Sequence, residues 1–191
     1  MAGKKCSEGK YRNTPDLGDF LIIIIPRMAA VNNITRLLDA KKIPYRTFEL
    51  PAEKLGAEAT AVILGVDPML VFNTIVVKRE RRKPILAVIP GPHRVDLKLL
   101  ATTLGKKKVS LPTERETEEL TCLQAGGISP LALLNKGYLV VIACEAENMP
   151  GSGEIHISGG QRGLNIRLSG RALAELTHAR FAHINIPDLE V

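Results

Sequence analysis

Tryptophan is absent from the 191-residue chain, and only four Phe and three Tyr represent the aromatics. A ladder of rings for stacking single-stranded bases is therefore not expected, and the core must rest on Val, Ile, Leu and Ala. The three cysteines, Cys6, Cys122 and Cys144, are an odd number without paired spacing. That argues against a disulfide framework and a cysteine zinc site, and suits a reducing compartment. Cys144 reads as a small buried hydrophobe. The four histidines (His93, His156, His178, His183) lack the i, i+4 pairing and neighbouring carboxylates of a zinc site. His156, on the alternating stretch Glu154-Ile-His-Ile-Ser158, reads as lying on a solvated face. No Walker loop and no Gly-x-Ser-x-Gly elbow is present, so neither a metal nor a cofactor is expected. The apolar run Phe20–Ile25 is six residues long, against roughly 20 for a spanning helix. Asp16 and Asp19 interrupt the flank that a signal peptide would need. No membrane role is expected, and the cytoplasm is the expected location.

What is present is an ordinary globular composition, 45% hydrophobic and 24% charged, with a net charge of +6. The size suits one domain, and the charge permits a polyanionic partner without demanding one. Residues 1–27 are read as an N-terminal extension, disordered or not native, with an extra edge strand at Leu21–Ile25 as the alternative. A new pattern begins at Met28, so residues 28–191 are taken as the folded domain.

Within it, Val31, Ile34, Leu37 and Leu38 follow helical spacing. Ile43–Glu49 reads as a strand and Ala57–Leu64 as a helix stopped by Gly65. Val71–Lys78 and Pro84–Ile89 read as strands joined by a charged hairpin loop. Val95–Leu104 reads as a second amphipathic helix, and Thr113-x-x-Glu116 has the form of a capping box that starts another. Strands follow at Tyr138–Cys144, Glu154–Ser158 and Leu164–Leu168, then a helix from Ser169 to about Leu176 and a last strand at Phe181–Ile186. Such interleaving predicts an α+β fold, a central mixed β-sheet packed by helices.

Two glycine-rich segments stand out, Ala125-Gly-Gly-Ile-Ser-Pro130 and Ser158-Gly-Gly-Gln-Arg-Gly163. Glycines allow close backbone approach and converging N–H groups that can hold a phosphate or an oxyanion; equally, both segments can be plain tight turns. Together with Leu64-Gly-Val-Asp-Pro-Met-Leu-Val-Phe-Asn-Thr-Ile-Val-Val77, these stretches resemble the YbaK/EbsC family of aminoacyl-tRNA deacylases, related to the editing domain of bacterial prolyl-tRNA synthetases. The resemblance spans residues 28–186, and the glycine pair is most similar to the cysteine-specific branch.

The resemblance implies the YbaK/prolyl-tRNA-synthetase-associated domain fold, with a pocket for the acylated 3′ end of tRNA and possible association with prolyl-tRNA synthetase. It implies release of cysteine from tRNA(Pro) and tRNA(Cys), in which the substrate's own thiol attacks its ester. The site residues carried over by motif position are Phe48, Phe72, Thr74, Gly126, Gly127, Ile128, Ser129, Pro130, Ser158, Gly159, Gly160 and Arg162. Asn73 occupies the position of the family's functional lysine, a departure that removes an ammonium charge. Two further readings stay open because of it: a binding protein for tRNA or a synthetase, and editing of another aminoacyl group. Thr121-Cys122 stands where the family has Thr-Gly. The basic run Lys78, Arg79, Arg81, Arg82 and Lys83 is the candidate tRNA-phosphate surface, with a solubilising face as the alternative.

Overall fold

The first helix, α1 (Asn33–Ala40), starts where Asn32 can cap it. The Asn32 side chain accepts from the backbone N–H of Ile34 and Thr35, while Thr35 Oγ1 accepts from the Asn32 N–H at 2.9 Å, a reciprocal capping box. Ile34 and Leu38 are buried on one face. The computed structural model describes residues 32–106, 108–147 and 153–188; the expectations for residues 1–27 lie outside them.

Strand β1 (Tyr45–Glu49) follows, then α2 (Ala57–Leu64), ended by Gly65 with a left-handed φ of 64°. A 3-10 turn at Pro68–Leu70 leads into β2 (Phe72–Arg79), which pairs antiparallel with β3 (Arg82–Pro90). The expected hairpin loop is thus shorter than the charge run suggested, because Lys78, Arg79, Arg82 and Lys83 belong to strands. Short β4 (His93–Val95) precedes α3 (Leu97–Thr103), whose Asp96 carboxylate accepts from the N–H of Lys98 and Leu99. Val95 therefore ends a strand rather than starting the helix. After β5 (Val109–Ser110) comes α4 (Glu114–Thr121), opened by the expected Thr113/Glu116 capping box.

A 3-10 segment (Leu131–Lys136), β6 (Leu139–Ala143), β7 (Glu154–Ser158), β8 (Leu164–Ser169) and α5 (Gly170–Thr177) follow. The last expected strand is split into β9 (Arg180–Ala182) and β10 (Asn185–Pro187). Between them Ile184 is fully buried, and its carbonyl accepts from the Asp96 N–H at 2.8 Å.

The central sheet has the order β5-β2-β3-β6-β9. Its first two pairings are antiparallel, and β3/β6 and β6/β9 are parallel, so the sheet is mixed. β3 and β6 sit in the middle and are covered on both faces. Ile85, Leu86, Ala87, Val88, Val141, Ile142 and Ala143 are all fully buried, the unbroken apolar run expected of such strands. A second, antiparallel sheet has the order β1-β8-β7, and β4 pairs with β10. A parallel bridge between Val71 and His156 joins the second sheet to the start of β2. Among the described residues no helix is long and apolar enough to cross a membrane. The architecture is α+β, as the sequence predicts.

Candidate functional site

A cavity of about 510 Å³ lies at the seam between the two larger sheets, within the size range of ligand pockets. One wall is the start of β2, where Phe72, Asn73 and Thr74 line it. Gly126 and Ile128 come from the first glycine loop, and Ser158 and Gln161 from the second. The three motif stretches, far apart in sequence, therefore converge on one cavity.

The two glycine loops are packed directly against each other. A Cβ on Gly127 would stand 3.0 Å from the backbone of Gln161 and Arg162, so a larger residue has no room unless one loop shifts. Gly126 has a φ of +87°, a conformation that L side chains rarely adopt. Arg162 Nε donates to the Ala125 carbonyl at 2.7 Å, bonding one loop to the other. On the far side, Asn32 Nδ2 donates to the Gly159 carbonyl at 2.8 Å, so the N-terminus of α1 holds the second loop.

Other motif residues lie behind the lining. Ser129 is fully buried, and its Oγ has no hydrogen-bond partner among the described residues. Pro130 is buried at the start of the 3-10 segment. Gly159 abuts Leu164, and Gly160, at φ +88°, abuts Ile34 and Ala132. Phe48 packs its ring 5.2 Å from that of His156. Phe48, Gly127, Ser129, Pro130, Gly159, Gly160 and Arg162 are absent from the cavity wall.

His156 corrects the sequence reading. It is 2% exposed rather than solvated, since its ring packs beside that of Phe48 on one face of β7 while Ile155 and Ile157 are buried on the other. Its Nδ1 sits 2.8 Å from Asn165 Oδ1; the amide oxygen can only accept, so the ring N–H donates. Burial pushes the imidazole below its ordinary pKa, although the Asn165 bond acts the other way. Asn165 is itself buried and lines the cavity, so this polar pair stands just behind the wall. Cys144 is half-buried, and burial raises its thiol pKa.

Sequence reasoning also missed two wall segments. The loop from Leu50 to Gly56 lines the cavity, as do Leu111, Pro112, Glu114 and Thr117 around the start of α4. The first carries no motif, and the capping box in the second signals the start of a helix rather than a pocket. Cys122, by contrast, does not line the cavity: it is exposed at the C-terminus of α4 with φ 59°, a region that suits glycine better. Lys136 Nζ lies 3.2 Å from its Sγ.

The basic hairpin lies at the other end of β2. Arg79 lies six positions beyond Asn73 on β2, about 20 Å at strand rise. Lys78 Nζ pairs with Glu116 at 2.7 Å, Arg79 Nε donates to the Lys83 carbonyl at 2.7 Å, and Lys83 Nζ donates to the Lys136 carbonyl at 2.7 Å. Arg81 and Arg82 are exposed at the turn. Among the described residues no group of three or more His, Cys, Asp or Glu could hold a metal ion.

Comparison with known proteins gives this geometry a family. Residues 52–176 match the aminoacyl-tRNA editing domain. The chain is 34% identical over 154 residues to an Enterococcus faecalis protein named "Putative Cys-tRNA(Pro)/Cys-tRNA(Cys) deacylase EbsC", covering 80% of this chain and 92% of that one. In fold it is similar to a crystal structure of a hypothetical protein, APE2540, with a TM-score of 0.73 at 23% identity, covering 81% of this chain and all (100%) of that one. It is also similar to a crystal structure described as "a putative trans-editing enzyme for prolyl tRNA synthetase", with a TM-score of 0.66 at 21% identity, covering 82% and 99%. With the domain profile spanning most of the folded chain and a relative above 30% identity along nearly its whole length, the chain belongs to the aminoacyl-tRNA editing domain family.

Proposed function

We propose that this protein deacylates mischarged Cys-tRNA(Pro), and Cys-tRNA(Cys), in trans to prolyl-tRNA synthetase in the cytoplasm. The observation that carries the reading is the convergence of Asn73 and both glycine loops on one ligand-sized cavity. The name of the 34% identical relative supports the choice of substrate.

The wall chemistry suits a reaction in which the substrate supplies its own nucleophile. Among the described residues lining the cavity there is no cysteine and no histidine, and hence no thiol–imidazole or hydroxyl–imidazole pair. In the proposed step the cysteinyl sulfur attacks the carbonyl carbon of its own ester. The bond to the ribose oxygen breaks, that oxygen takes up the thiol's proton, and a cyclic thiolactone leaves. The protein's part is to hold the terminal nucleoside, exclude competing water and donate to the developing oxyanion from loop N–H groups. Asn73 can offer amide hydrogen bonds in this setting but no charge.

Release of free tRNA from Cys-tRNA(Pro), Cys-tRNA(Cys), Ser-tRNA(Pro) and Pro-tRNA(Pro), with wild type beside Asn73→Lys, tests the reading. Faster cysteine release, with none from the serine analogue, supports it. No acceleration by either protein overturns it. Turnover by Asn73→Lys alone favours a protein that holds aminoacyl-tRNA without cleaving it, the reading that a neutral residue at position 73 suggests.

A further inference from the structure

Among the described residues lining the cavity, Lys54 is the one cation; Glu53 and Glu114 are the anions. Lys54 sits in the Leu50–Gly56 loop, a segment without a recognisable motif. Its stem is set against the first glycine loop: a Cβ added to Gly126 would lie 3.3 Å from Lys54 Cγ and 3.4 Å from its Cα. Its ammonium pairs with Glu114, in the first turn of α4. The two side chains are 53% and 55% exposed, so the pair is at the rim of the cavity rather than its floor. Exposed pairs of this kind contribute little to stability and exchange partners readily.

An acylated tRNA terminus brings charge to that rim. If the terminal nucleoside fills the cavity, the phosphodiesters behind it lie at the mouth, where two carboxylates would repel them. We infer that Lys54 receives a phosphate next to the acylated nucleoside, leaving Glu114 as the RNA docks. A flexible four-carbon stem carrying a point charge can make that swing without disturbing the loop backbone. Glu114 then acts as a placeholder that orients Lys54 in the free protein and opposes the bound state. This assignment rests on the editing reading and names the group that would anchor the RNA end.

Opposite signs at the two partners separate this role from a structural one. Both Lys54→Gln and Glu114→Gln break the pair, so a merely structural pair predicts similar losses from each. For a Lys54–phosphate contact, Lys54→Gln weakens binding of an uncharged CCA-ending minihelix about tenfold or more, and Lys54→Arg keeps most of it. Glu114→Gln leaves binding unchanged or tightens it. The slope of log affinity against log salt falls in magnitude by about 0.7–0.9 in Lys54→Gln, one counterion's worth. Thermal melting of each variant checks the fold. Equal weakening by both substitutions, or affinity and salt slope in a folded Lys54→Gln matching wild type, overturns the assignment. Because binding is read with uncharged RNA, a failure of deacylation in the wild type sinks the editing reading without deciding the role of Lys54.

Discussion

Arg162 Nε donates to the Ala125 carbonyl at 2.7 Å, so the second glycine loop is bonded to the first by an arginine that does not itself line the cavity. A guanidinium on a carbonyl is a charge-assisted bond, added here to the close packing of the two loops at Gly127. Replacing it with Arg162→Met keeps most of the side-chain volume and removes the donor. The expected outcome is a loss of about 1.5–3 kcal/mol in urea unfolding, with deacylation falling further than stability. Stability and rate both within error of wild type would show that packing alone holds the loops together.

At Gly127 the prediction is steric. A methyl group there meets the Gln161–Arg162 backbone at 3.0 Å, and backbone cannot yield as a side-chain tip can. Gly127→Ala is expected to destabilise by about 1–3 kcal/mol and to lower turnover by parting the loops. Urea denaturation and single-turnover release of tRNA check the two effects separately.

The His156–Asn165 pair sets a pH dependence. Burial holds the imidazole below its ordinary value of 6.5, so near and below that pH the unfolded chain binds a proton that the folded chain does not. Stability is therefore full above about pH 6.5 and falls as the pH drops below it. In His156→Gln, which can still hydrogen-bond Asn165, the acid-side loss is expected to shrink. Unfolding free energies from pH 7.5 to 5 decide it; parallel curves for the two proteins would exclude His156 as the source.

The basic hairpin is expected to act on binding rather than chemistry, because it lies about 20 Å of strand away from Asn73. Arg81→Gln and Arg82→Gln together should raise KM several-fold for every aminoacyl group alike and flatten its salt dependence, with kcat unchanged. A change in amino-acid preference would contradict that assignment.

The β2/β3 hairpin and α4 could be read from the chain because their signals are local: β-branched runs on either side of a charged turn, and Thr113 three residues before Glu116. The convergence of β2 with the glycine loops was legible only as a motif order, since nothing local dictates which strands pair. The Leu50–Gly56 wall had no signal at all. Its place follows from β1 pairing with β8, after which the Leu50 N–H donates to the Gly163 carbonyl at 2.9 Å. His156 was misread for the opposite reason. Alternation along Glu154–Ser158 is a sound sign of a half-solvated strand, but Ile155, His156 and Ile157 are all buried, so here a polar ring belongs to the interior.

The bridge between Val71 and His156 joins the two larger sheets beside the cavity, whose wall includes Val71. His156 lies buried behind that wall, so one backbone bridge ties the chamber's face to the packing beneath it. A change in that packing, such as at Phe48 against the His156 ring, is therefore expected to reach the chamber wall without touching anything held inside it.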